Sequence, residues 1–124
     1  MDNATSLRAK LVSLRRGEIP TEDLYALVHE LGHAGLSEAA ADVAGLLKHP
    51  NDQIRCIAVR VLAFHWQMKE YKDEFIRLFL SDRDDWVRSF SAAGLGFVLR
   101  GSRDTQAVRV LIRCLLYTSP SPRD

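Results

Sequence analysis

The sequence has little of what marks a secreted, membrane-bound or strongly charged protein. It contains only two cysteines in 124 residues, too few for the disulfide framework of a small secreted domain. The first ten residues include no apolar run typical of a signal peptide, and no stretch approaches the roughly 18 apolar residues of a membrane helix. The net charge is +1, which gives no reason to expect a nucleic-acid partner or an anionic membrane surface. We therefore expect a cytoplasmic protein.

Signals for β-strands and for common catalytic sites are also missing. No stretch alternates apolar and polar residues as a half-buried strand does, and the chain has no Gly-rich phosphate loop, Ser/His/Asp arrangement or C-x-x-C pair. Apolar residues recur instead at helical spacing, beginning with Leu7, Leu11 and Leu14. The pattern predicts an all-α chain with helices at about 4–16, 21–34, 37–48, 52–65, 69–80 and 85–99, and a seventh from 104 or 105 onward.

Two segments that lie 33 residues apart share one pattern, D-x-[VI]-R-x-x-[AS]-x-x-x-L-[GA]. Asp85 and Arg88 of the second segment correspond to Asp52 and Arg55 of the first. A period of this length is typical of helical repeats. We expect the two aspartates to cap helix N-termini, because a carboxylate accepts hydrogen bonds from the free backbone N–H groups there.

The second copy, D-x-D-D-W-V-R-x-x-S-A-A-x-L-G at Asp82–Gly96, resembles the HEAT-repeat family in its bacterial, lyase-like form. The resemblance covers about residues 37–113. It implies an α-solenoid of stacked antiparallel helix pairs, about 3.5 repeats, that acts as a scaffold binding another, unidentified protein. In the upstream copy His49 stands where Asp82 stands, so an Asp–Arg ladder between repeats is not expected there.

One motif favours a different function. His29-Glu30-Leu31-Gly32-His33 is an H-E-x-x-H sequence, which on a helix places two histidines to share a zinc ion and a glutamate to act as general base. A zinc hydrolase also needs a third protein ligand, and the extended metzincin pattern would require Gly at Leu36 and His at Ala39. The two histidines lie about 150–190° from the apolar stripe of their helix. We therefore interpret them as surface histidines and predict no metal site and no cofactor.

Four residues are candidates for binding on the repeat surface: His29, His33, Arg55 and Arg88. The two arginines could form a basic row on a binding groove, but a structural ladder with Asp52, Asp82 or Asp85 and with helix ends is the preferred interpretation.

The two tryptophans present a similar choice. Trp66 and Trp86 could each anchor a partner, since tryptophan is enriched among interface hot spots. Trp86 is predicted instead to pack against the neighbouring repeat.

The sequence divides into a repeat domain at 1–113, interpreted as truncated at its C-terminal end, and a tail at 114–124. The tail, CLLYTSPSPRD, resembles the translation of a common sequencing adapter, so we interpret it as non-native. The expected function is a non-catalytic protein-interaction scaffold. The alternatives are a zinc-dependent hydrolase acting through His29 and His33, and a HEAT-like lyase or repair protein.

Overall fold

The computed structural model describes residues 3–100 and, beyond them, the single residue Arg109. Residues 3–100 form six α-helices and no strand. The helices are α1 Asn3–Arg15, α2 Thr21–His33, α3 Ala40–Gly45, α4 Asp52–Arg60, α5 Lys72–Ser81 and α6 Asp85–Val98. Short 3-10 turns flank α3 at Ser37–Ala39 and Leu46–Lys48 and precede α5 at Lys69–Tyr71, while a π-helical segment, Val61–His65, continues α4. The predicted all-α class is confirmed; the seventh helix and the tail lie outside the described residues.

The helices form two layers, as expected for stacked helical repeats. Consecutive helices pair as α1 with α2, α3 with α4 and α5 with α6, and α4 also contacts both α2 and α6. We call α2, α4 and α6 the B layer and α1, α3 and α5 the A layer. Ion pairs from Arg8 to Glu38 and from Arg15 to Asp42 link α1 to the segment that contains α3.

The core lies between the two layers and follows the predicted apolar stripes. Most residues predicted to be core are buried: Leu27, Leu31, Val43, Leu47, Ala58, Leu62, Phe75 and Leu95. The prediction is wrong for Phe79 and Phe90, which are only half-buried. In α5 the neighbouring Leu78 takes the buried position. The ring of Phe90 lies at the edge of the B layer, beneath the guanidinium of Arg60.

Several helices begin one residue earlier than the capping prediction. The N-caps of α4 and α6 are Asn51 and Asp84, whose side chains accept hydrogen bonds from the first-turn backbone N–H groups. The predicted caps Asp52 and Asp85 are instead the first helical residues, where a carboxylate still faces the positive end of the helix dipole. Likewise, Pro20 rather than Thr21 occupies the N-cap of α2, because the fixed φ of proline suits a residue just outside the helix.

The turn before α3 departs from the prediction in the same way. Ser37, predicted as a cap, opens a 3-10 turn, and its side chain makes no capping bond to that turn because the N-cap position belongs to Leu36. The predicted ends of α1 and α2 are confirmed by Gly17 and Gly35, which have φ of +71° and +69°. Glycine adopts this left-handed conformation at little cost.

Two glycines set how closely the B-layer helices approach. A Cβ atom on Gly32 of α2 would lie 2.8 Å from a methyl of Val61, and one on Gly94 of α6 would lie 2.8 Å from the Cβ of Ala63. Both glycines therefore press against the π-helical end of α4 from opposite sides. This close approach orders the three B-layer helices into one surface.

Candidate binding surface of the B layer

Arg55 is a structural residue at the junction between two repeats. Its guanidinium is only 6% exposed and donates two hydrogen bonds to the carboxylate of Asp82, at 2.8 and 3.0 Å. The same group donates to the backbone carbonyls of His49 and Pro50 at 2.8 and 3.0 Å. Arg55 thus ties the start of its own helix α4 to the turn before α6. Of its two predicted roles, the structure favours the ladder over the binding groove.

Asp82 receives this arginine and also shapes its own turn. It accepts a hydrogen bond from the backbone N–H of Asp84 at 2.9 Å. Burial tends to raise the pKa of Asp82, but the hydrogen bonds from Arg55 and Asp84 and the charge of Arg55 together lower the pKa below its ordinary value. A buried carboxylate held in this way is stable only while its arginine is present.

The upstream counterpart of Asp82 retains half of this role. His49 accepts a hydrogen bond from the backbone N–H of Asn51 through Nδ1, at 3.0 Å, as Asp82 does from the residue two positions on. The imidazole supplies no carboxylate for an arginine, so the turn geometry is kept while the charged ladder step is absent. The predicted interruption of the ladder at His49 therefore has a visible structural counterpart.

Arg88 is more accessible than Arg55 and pairs within its own helix. It forms an ion pair with Asp85 and donates to the backbone carbonyl of Asp82 at 2.7 Å. Its side chain is 29% exposed. The two arginines that the repeat pattern predicts to be equivalent therefore occupy different environments.

The two histidines of the H-E-x-x-H motif lie on one side of α2, directed away from the core as predicted. His29 is half-buried and His33 is exposed. Their Nε2 atoms are 3.2 Å apart, close to the separation of about 3.3 Å that two nitrogen ligands of one tetrahedral zinc would have. The motif thus forms the first two-thirds of a metal site.

The third ligand is where the zinc hypothesis meets the geometry. His65, from the end of α4, lies with its ring edge against His33, the centroids 5.0 Å apart. Within residues 5–100, however, no three or more His, Cys, Asp or Glu side chains are arranged so that they could hold a metal ion. Desolvation lowers the pKa of His65, and the nearby His33, His29 and Arg60 lower it further. The three histidines form a surface cluster at one end of the B layer.

A cavity of about 350 Å³ opens at the other end of the B layer. All three helices of the layer and the N-cap of α6 contribute to it. Its lining residues are Tyr25, Asp52, Gln53, Cys56, Asp84, Trp86 and Phe90. The sequence analysis did not identify this site, although the i, i+4 spacing of Asp52 with Cys56 and of Trp86 with Phe90 on the faces opposite the core was available as a signal.

Aromatic side chains form one wall of this cavity. Trp86 is 69% exposed, so the prediction that it packs against the neighbouring repeat is wrong. Its only aromatic neighbour in the described part of the chain is Phe90 on its own helix, with ring centroids 6.1 Å apart. Trp86 stands in the first turn of α6, where the turn before the helix leaves its outer face uncovered. Trp66, by contrast, is half-buried and packs against the core.

The polar part of the cavity is predominantly acidic. Asp52 and Asp84 both line it, and the only hydrogen bond that the carboxylate of Asp84 accepts from residues 5–100 comes from the N–H of Val87, at 3.0 Å. Cys56 lies between them: desolvation raises the pKa of its thiol, Arg60 lowers it, and the two carboxylates raise it again. A thiol with a raised pKa stays protonated at neutral pH, which argues against a nucleophilic role.

Comparison with known proteins agrees with the two-layer architecture. A family model described as HEAT repeats matches residues 40–123, which is more than half of the chain. No curated protein and no solved structure gives a significant match. In the part of the chain that the structure describes, no helix is both long enough and apolar enough to span a membrane.

Proposed function

The chain belongs to the HEAT-repeat family, and on that basis we propose that it is a protein-interaction scaffold without catalysis of its own. Helical repeats stack into extended surfaces, and in such proteins the exposed face of one helix layer commonly receives the partner. We place the binding surface on the B layer, around the cavity lined by Tyr25, Trp86 and Phe90. The observation that carries this proposal is the exposure of Trp86.

An exposed tryptophan of this kind has a physical cost in an isolated protein. A large aromatic side chain buries 150–250 Å² when covered, on the order of several kcal/mol of favourable transfer free energy. Trp86 and Tyr25 are 69% and 39% exposed, and both residue types are enriched at the centres of protein interfaces. Their position on one cavity gives a partner a concave, aromatic place to dock.

The arrangement of the arginines supports the same division of labour. Arg55, which could have marked a basic binding row, is engaged by Asp82 and two backbone carbonyls. It stabilises the stacking of repeats, and the surface that remains for a partner is aromatic and acidic. A hydrolase acting through His29 and His33 would need a third ligand that residues 5–100 do not place within reach.

The proposal is tested by affinity capture from cells that carry the gene, followed by quantitative mass spectrometry. The wild-type chain is compared with the double variant Tyr25→Ala/Trp86→Ala. Leu80→Ala serves as the matched control, because Leu80 is an apolar residue of the A layer that is 57% exposed. We expect at least one protein to be retained by the wild type and the control and lost from the double variant.

Retention of the same proteins by all three chains would contradict a binding surface on the B layer. A companion measurement addresses catalysis: we expect purified protein to contain no stoichiometric zinc by elemental analysis. One zinc per chain, lost in His29→Ala and His33→Ala, would instead favour the hydrolase.

A further inference from the structure

We propose that the B-layer cavity receives the guanidinium group of an arginine side chain presented by the protein partner. This inference rests on the proposed function and names the chemistry of its partner. The site brings together two features that a cation needs. These are an open aromatic face on Trp86 and the carboxylates of Asp52 and Asp84, all lining one cavity of about 350 Å³.

The two carboxylates are not neutralised by the protein. Within residues 5–100, neither Asp52 nor Asp84 has a basic side chain within ion-pair distance, whereas Asp82 and Asp85 are paired with Arg55 and Arg88. Asp84 gives one oxygen to the N-cap of α6, and its other oxygen accepts no hydrogen bond from these residues. Two carboxylates facing one cavity repel each other, and a bound cation removes that repulsion.

The aromatic wall already shows the same mode of recognition once. The guanidinium of Arg60 lies 5.4 Å from the ring centroid of Phe90 and donates to the hydroxyl of Tyr25 at 3.3 Å. This intramolecular cation–π contact occupies Phe90, while 69% of Trp86 remains exposed. Indole is the strongest of the aromatic acceptors for a cation. A second guanidinium can therefore use Trp86 as Arg60 uses Phe90.

Arginine fits this site better than lysine for geometric reasons. The guanidinium is planar, so it can stack on an indole while its edge donates in parallel to a carboxylate. An ammonium group is a compact charge without a flat face, so it cannot stack. The cavity is at the small end of the range for ligand sites, which suits one side chain rather than a larger folded element.

The inference is tested by titrating ¹⁵N-labelled protein with a blocked Gly-Gly-Arg-Gly-Gly peptide and following the indole N–H signal of Trp86 by NMR. The matched peptides contain citrulline, which has nearly the same shape without the charge, or lysine. We expect a saturable shift with the arginine peptide, affinity lower by about threefold or more with lysine, and no saturation with citrulline. Affinity should fall as salt is added.

Variants of the protein assign the effect to the cavity. Asp52→Asn/Asp84→Asn removes both charges while asparagine keeps the N-cap of α6, and we expect about tenfold weaker binding from two partly exposed pairs. Trp86→Ala should weaken binding about twofold to fivefold through the lost cation–π contact, followed through backbone amide signals. Asp73→Asn, an exposed carboxylate of α5 that does not line the cavity, is the control and should bind as the wild type does.

Equal binding of the citrulline or lysine peptide, or unchanged affinity in both cavity variants, would overturn the inference. The result also separates it from the proposed function. If the arginine peptide does not bind but partner capture still depends on Tyr25 and Trp86, the scaffold proposal stands and the arginine site is wrong. If neither depends on the B layer, both are wrong.

Discussion

Arg55 and Arg88 occupy the same position in successive repeats, 33 residues apart, and yet have different surroundings. Arg55 is buried and bridges to the next repeat through Asp82, whereas Arg88 is 29% exposed and pairs with Asp85 in its own helix. Both donate to backbone carbonyls in the turn before their helix. The part of the environment that they share is local, and the part that differs comes from the next repeat.

The difference follows from one position in the sequence. The carboxylate that Arg55 binds lies 27 residues further on, at Asp82, and the corresponding position for Arg88 holds Leu115. In the repeat before Arg55, Glu22 replaces the arginine and His49 replaces the aspartate. The ladder therefore has a single complete step in residues 5–100, and a repeat motif by itself does not tell which arginine is buried.

The largest expected effect is the loss of this step. Arg55→Ala should destabilise the protein by about 3–5 kcal/mol, because it leaves the carboxylate of Asp82 buried and unpaired. Arg88→Ala should cost only about 1 kcal/mol, since it removes a surface ion pair and one hydrogen bond. Urea unfolding followed by circular dichroism measures both values. Similar losses for the two variants would mean that the repeats are not held differently.

The second comparison concerns Gly94, which takes the place of Val61 of the preceding repeat. Gly94→Ala should destabilise the protein by up to about 2 kcal/mol, because the new methyl overpacks against Ala63 and exceeds the gain in helix propensity. Gly45→Ala, where a methyl would meet open space, should stabilise by about 0.5–1 kcal/mol. Thermal unfolding of both variants tests the close approach of α6 to α4; a stabilised Gly94→Ala would show that the approach is looser.

The third concerns His65, whose counterpart in the next repeat is the buried Val98. Because the folded pKa of His65 is below its ordinary value of 6.5, the unfolded chain binds its proton more readily. Its contribution to stability is therefore complete above about pH 6.5 and is lost as the pH falls through the folded pKa. We expect the melting temperature of the wild type to drop between pH 7.5 and 5 by more than that of His65→Gln. Equal slopes would contradict the lowered pKa.

The smallest effect on stability is expected at Trp86, which takes the place of Gln53. Trp86→Ala should change the free energy of unfolding by less than about 0.5 kcal/mol, because the side chain is mostly exposed. The same variant is expected to lose partner binding. A loss above about 2 kcal/mol in the urea experiment would instead indicate that Trp86 packs against the repeat, as the sequence had suggested.

Helical periodicity predicted most of the fold. The six described helices, the glycine ends of α1 and α2 and most of the core follow from apolar spacing, which reflects one buried face per helix. The caps were displaced by one residue because Asn51-Asp52 and Asp84-Asp85 each offer two adjacent capping side chains. Propensity alone does not choose between neighbours, and the path of the preceding turn does.

The candidate site was harder to predict because it is made by several helices together. The H-E-x-x-H motif is visible within one helix, and its two histidines were correctly placed away from the core. The cavity instead combines Tyr25 of α2, Asp52 and Cys56 of α4, and Trp86 of α6. No local pattern links these positions, and only the stacking of repeats brings them together.

The most direct test of how this scaffold is held together is a pair of double-mutant cycles measured by urea unfolding. Arg55 and Asp82 are replaced by alanine singly and together, and Arg88 and Asp85 are treated in the same way. The structure predicts a coupling free energy of about 2–3 kcal/mol for the first pair and below about 0.5 kcal/mol for the second. Equal coupling in the two pairs, or none between Arg55 and Asp82, would contradict an arginine that locks one repeat to the next.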